Sequence, residues 1–230
     1  MIYISLFSEH RTDKVVGFIM ADLARIMSSK QLAQAQEIID TVQGKMRKVV
    51  DEFAQGDISR EQFQEIYEHY QNQIMMAVQM AAEADATVDG LQLTPGETFA
   101  IRSKLVAKAK GMTIYYHATG LLLETLGDFD ISVAKIAPCL NSICDQVHRG
   151  RTADVRTEKM ADEWVLYVPG RYSTAVMLFS HEPSVRQISV IENIHRDFET
   201  ANYTALKSGH ADGSKLVYPF KSFVRRSVGR

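Results

Sequence analysis

Between Thr94 and Leu206 the chain reads helix, strand, strand, helix, three strands, helix, and this order constrains the fold more than any single residue does. Thr94-Pro95-Gly96-Glu97 is a capping box with proline at the first helical position. The threonine hydroxyl accepts from the Glu97 amide and the carboxylate reaches back. Ile101, Leu105 and Ala109 then recur at helical spacing, predicting a helix over 95–110. Ser184-Val185-Arg186-Gln187 is a second box, followed by Ile188, Ile191, Ile194 and Phe198 on one face with Val185. A third amphipathic helix is predicted from Asp130 to His148, with Pro138 removing one backbone donor and kinking it or delaying its start.

The strands are marked by β-forming residues and by turns. Met112–His117 and Leu121–Leu126 flank Ala118-Thr119-Gly120, a hairpin in which Gly120 takes positive φ. Trp164–Val168 and Ser173–Phe179 flank Pro169-Gly170, which suit the central positions of a type II turn, although the four-residue connection leaves the turn type open. Trp164 and Leu166 should alternate with Val165 and Tyr167 across the sheet, and Val176 and Leu178 with Met177 and Phe179, one pair of each strand meeting the helices. Val155–Met160 is more polar and suits a sheet edge. Short connections imply antiparallel neighbours. The expected fold is α+β: one five-stranded antiparallel sheet with helices packed on it, preceded by a helical hairpin.

Three patches carry a likeness to a known family: Ala118-Thr119-Gly120-Leu121-Leu122-Leu123, Trp164-Val165-Leu166-Tyr167-Val168-Pro169-Gly170, and the helix after Pro183-Ser184. With the element order, they make residues 94–206 resemble the roadblock family, whose members share a profilin-like or longin-like sandwich. The resemblance implies a non-enzymatic homodimer that scaffolds a multiprotein complex or regulates a small Ras-like GTPase in signalling. Pro138 and the long N-terminal extension depart from the simplest family members. The alternative is a small-molecule sensory domain of PAS-like topology. Such a sensor normally has several short helices between its second and third strands, where this chain has only the helix over 130–148.

Residues 1–93 are expected to be a helical hairpin. One helix is predicted over 13–55, with Ile38, Ile39, Val42, Met46, Val49, Val50 and Phe53 in its apolar stripe. Gly56-Asp57 breaks it, and Ser59-Arg60-Glu61-Gln62 is a capping box opening a second helix to about Ala84. Residues 85–93 read as a linker. The words around Gly56 are superficially like the edge of an EF-hand, but no run of acidic ligands follows. They also resemble short oligomerisation hairpins of bacterial proteins, although capping alone accounts for every residue. Met75, Met76 and Met80 read as gap-filling core in preference to an adaptable binding surface.

Charge is divided unevenly. Residues 1–94 carry 8 basic and 14 acidic side chains, residues 95–206 carry 12 and 13, and residues 207–230 carry 6 and 1. The tail interleaves Lys221, Arg225 and Arg226 with Tyr218, Phe220 and Phe223, and these three cations are the candidate contacts to an anionic surface, such as a membrane. Five net charges are a small phosphate-binding footprint, so no nucleic acid is expected. Instead, 207–215 should be mobile and 216–224 should dock on the acidic N-terminal region.

Chemistry is not signalled. Cys139 and Cys144 lie five apart on one predicted helix and read as small core residues; no histidine pair has i, i+4 spacing, so no metal and no cofactor is expected. Glu158, Asp162 and Glu163 surround a hairpin turn, and His210, Asp212 and Ser214 lie where no scaffold positions them. No nucleophile elbow or phosphate-cradling loop occurs, so a non-enzyme is expected. No apolar run reaches the roughly 20 residues that span a bilayer. Met1–Phe7 has neither a basic flank nor a cleavage site, so a cytoplasmic protein without a signal peptide is expected.

Overall fold

The computed structural model describes residues 29–82 and 95–219. In chain order its elements are α1 (Ser29–Ala54), α2 (Arg60–Ala82), α3 (Pro95–Lys104), β1 (Ala109–Tyr116), β2 (Leu122–Gly127), α4 (Val133–His148), β3 (Arg156–Met160), β4 (Glu163–Pro169), β5 (Ser173–Phe179), α5 (Val185–Ala201) and α6 (Tyr203–Lys207), with a closing 3-10 turn at Gly213–Lys215. The chain divides into two compact units. One holds α1, α2 from Phe63 and the start of α3; the other holds Gln55–Gln62 and everything from Arg102 onward.

In the helical unit the buried positions of α1 are Ala35, Ile39, Val42, Met46 and Val49, and those of α2 are Ile66, Tyr70, Ile74 and Ala77. The steps of three and four residues keep each set on one stripe. Phe53 and Phe63 stack with ring centroids 4.7 Å apart. The methionine expectation is corrected: Met75 and Met76 are 69% and 57% exposed, because the stripe through Ile74 and Ala77 points them outward. Val50 is also exposed. The capping box of α2 forms as read, with the Gln62 amide donating to Ser59 Oγ at 3.2 Å and the Ser59 amide donating to Gln62 Oε1 at 3.0 Å. The predicted Thr94–Glu97 box begins outside the described residues.

The five strands form one antiparallel sheet in the order β2-β1-β5-β4-β3. Both of its faces are covered. Strand alternation sends Trp164, Leu166, Val168, Ala175, Met177 and Phe179 to one face, with Met112 and Ile114 of β1; there they pack with Ile191 and Phe198 of α5. Val165, Tyr167, Val176 and Leu178 go to the other, against Ile136, Cys139, Leu140 and Ile143 of α4. Completely buried β5 is the central strand of this three-layer unit.

α4 starts at Val133 and runs unbroken through Pro138, whose ring lies exposed. The β4–β5 connection departs from a Pro-Gly type II turn. It closes where the Gly170 amide donates to the Ser173 carbonyl at 2.8 Å, so Arg171 and Tyr172 take the central positions.

The two sheet edges differ. Along β2 lies the closing 3-10 turn, with the Tyr218 hydroxyl between the carbonyl oxygens of Leu123 and Gly213 at 3.3 and 3.0 Å. Leu216 is buried in the α5-side core and the Tyr218 ring stacks on Phe198. Leu216 and Tyr218 therefore dock as expected of this stretch, but on the sheet unit's own core and not on the acidic helices. Residues 213–215, read as mobile, form the 3-10 turn capped by Asp212. β3 is the other edge and is paired only with β4 among the described residues.

The turn between α1 and α2 is built into the sheet unit at the N-terminus of α5. Gly56 has φ +75°, and a Cβ there would lie 2.8 Å from Val185 Cβ. The Arg186 amide donates to Gly56 O at 3.1 Å, and the Arg186 guanidinium pairs with Asp57. The Glu61 amide donates to Glu182 Oε2, the Glu182 amide donates back to Glu61 Oε2, and Arg60 pairs with Glu182 at 3.2 Å. Ile58 and Ser59 are buried in consequence. Val185, expected on the apolar stripe, is instead exposed at the first turn of α5, beside Gly56.

Candidate functional site

Polar side chains converge where the β4–β5 turn meets α5. The buried stripe of α5 runs Ile191, His195, Phe198, so helical spacing carries an imidazole into a core position. Glu199, one residue on, reaches the turn. Its Oε1 accepts from the amides of Tyr172 at 2.9 Å and Ser173 at 2.8 Å, and its Oε2 accepts from the amide of Arg171 at 2.8 Å. Three consecutive backbone donors thus close on one carboxylate. Glycine at 170 allows this approach, because a Cβ there would overlap the Glu199 carboxylate.

Ser173 Oγ lies 2.9 Å from both His195 Nε2 and Glu199 Oε1. Serine, histidine and glutamate in contact suggest a nucleophile, a base and an acid, but their order is wrong for that chemistry. A base must stand between nucleophile and acid so that it can take the proton of the first while being oriented by the second. Here serine is in the middle. Its one proton goes to Glu199, leaving its oxygen to accept from the His195 Nε2–H. Ser173 is also fully buried. These bonds lock the hairpin turn to α5.

A second buried histidine extends the network. His117 Nε2 is 2.7 Å from Thr174 Oγ1, and its backbone amide donates to Tyr172 O at 2.9 Å. Its Nδ1 is buried, with the Arg171 backbone beside the ring. Burial holds the imidazolium forms of both histidines down, in His195 to about 4, with Glu199 opposing the shift in each.

Most residues singled out from sequence lie elsewhere. Lys221, Arg225 and Arg226 fall outside the described residues. Cys139 is buried under α4 and Cys144 is half-buried; burial pushes both thiols up. Glu163 pairs with Lys110. Asp212 accepts from the amide and hydroxyl of Ser214 at 3.0 and 2.7 Å, while His210 is exposed. Among the described residues no three His, Cys, Asp or Glu side chains are grouped to hold a metal, and no helix is long and apolar enough to cross a membrane. Ser173, His195 and Glu199 had one signal in the sequence: a histidine at a core position of an amphipathic helix.

The chain matches no protein-family model and no curated protein sequence.

Proposed function

We propose that the chain is a non-enzymatic dimeric scaffold or regulator, its sheet unit pairing with a second copy along β3. The observation that carries this reading is the contrast between the sheet edges. β2 is met at Leu123 by the chain's own C-terminal segment, while β3 offers an unpaired row of backbone donors and acceptors among the described residues. Antiparallel pairing about a two-fold axis at Thr157 sets Arg156 opposite Glu158 of the second copy, and the reverse, which favours self-association. The commitment of Ser173 and Glu199 to the turn supports a non-catalytic role. α4 alone separates β2 from β3, and the space beneath it is filled by Val165, Tyr167, Val176 and Leu178, which favours this reading over a PAS-like sensor.

Light scattering on the full chain tests the dimer. Arg156→Glu sets like charges opposite each other and is expected to give monomer; adding Glu158→Arg restores the pairing and the dimer. Wild-type protein that stays monomeric at high micromolar concentration overturns the reading. A dimer indifferent to both variants moves the interface away from β3. The partner class, a small Ras-like GTPase or a multiprotein complex, rests on the roadblock resemblance. A regulator should prefer one nucleotide state of the GTPase, because its switch segments order around the γ-phosphate. Equal affinity for both states would leave a scaffold.

A further inference from the structure

A cavity of about 690 Å³ opens at the β4–β5 end of the sheet unit. Three arginines from three separate segments line it: Arg151 from the α4–β3 connection, Arg171 from the β4–β5 turn and Arg196 from α5. None is ion-paired among the described residues. Arg196 donates to the neutral Asn193 Oδ1 at 3.2 Å, and Arg171 lies over the Tyr172 ring, 5.4 Å from its centroid. Two carboxylates share the wall. Glu199 accepts three bonds on Oε1 and one on Oε2 from the β4–β5 turn, so most of its hydrogen-bonding capacity is taken up there while its charge still faces the cavity. Glu192 remains.

We propose that this cavity binds a small polar molecule bearing a compact, multiply charged oxyanion. Guanidinium forks match the oxygens of phosphoryl and carboxylate groups and bind them through paired, charge-assisted hydrogen bonds. Val147, Val168 and Ala153 add apolar surface to the lining, while the three arginines are exposed and open to an incoming ligand. The volume falls within the roughly 300–1,000 Å³ common for small-molecule sites. Glu192 repels a second anionic group from its side and suits a hydroxyl or amine there. The cavity is lined within one chain and does not include β3, so the inference stands apart from the dimer reading.

Calorimetric titration of the full chain with inorganic pyrophosphate and with citrate, at constant ionic strength, tests it. Saturable binding of at least one, at one per chain, is expected; the stronger of the two shows whether phosphoryl or carboxylate chemistry is preferred. Arg151→Gln, Arg171→Gln and Arg196→Gln should each weaken it about tenfold or more, the loss of a hydrogen bond to a charged group. Glu192→Gln should tighten it. A variant with Lys221, Arg225 and Arg226 all changed to glutamine removes the same total charge as the three arginine changes and should bind as the wild type does. Amide resonances of Arg171, Tyr172 and Arg196 should shift in unmutated protein, a readout independent of how the variants fold. No saturation with either probe overturns the proposal. So does loss of binding in the tail variant with no loss in the arginine variants, or resonance shifts confined to the tail.

Discussion

Glu199 shows how one side chain can hold a hairpin. Its carboxylate closes three successive backbone donors and a hydroxyl, so Glu199→Ala leaves several polar groups without their partner. A loss of about 2–3 kcal/mol is expected in denaturant unfolding, limited by the water that can reach the exposed end of the turn. His195 adds a pH dependence. Its folded pKa of about 4 lies below the ordinary histidine value, so the unfolded chain binds the proton more readily. The contribution is whole above about pH 6.5 and is lost as pH falls toward 4, on the order of 2–3 kcal/mol. His117 is lowered too and adds to the same slope. Unfolding curves taken between pH 7 and 4 should therefore flatten in His195→Gln without becoming level. An unchanged slope would mean that His195 is not the titrating group. Little of this cluster was legible in the sequence, because Ser173 and His195 are 22 positions apart and the turn amides carry no side-chain signature.

At the scale of elements, periodicity carried most of the information. The alternation in β4 and β5 assigned each residue to its face, and the polar run of β3 marked an edge. The unbroken apolar runs Trp164–Val168 and Ala175–Phe179 place large side chains on both faces, so the covering of both was legible in them. The Gly56 turn shows a limit. Its capping residues were plain, but its docking on α5 depends on residues far along the chain. Gly56→Ala should cost about 1–3 kcal/mol, because the left-handed backbone disfavours a Cβ and that atom would collide with Val185. Trp164, the sole tryptophan, lies in the sheet unit and reports its melting by fluorescence. A wild-type melting curve for Gly56→Ala would show that the turn adds nothing to that unit.

For the whole molecule, the C-terminal segment is part of the core. Removing residues 216–230 deletes Leu216 and the Tyr218 ring over Phe198, and takes the Tyr218 hydroxyl from Leu123 O on β2. The melting temperature should fall by several degrees, as the loss of one or two buried apolar side chains does in a domain of this size. Unchanged melting with lost binding to anionic vesicles would instead assign the segment to a membrane surface. The sheet unit is also discontinuous: it needs Gln55–Gln62 as well as the chain from Arg102. During synthesis the turn emerges early, yet Glu182, which meets Glu61, lies 121 residues later. A unit closed by so distant a contact must settle its last turn after most of its sheet exists, which slows folding and couples the fate of the first helices to completion of the chain.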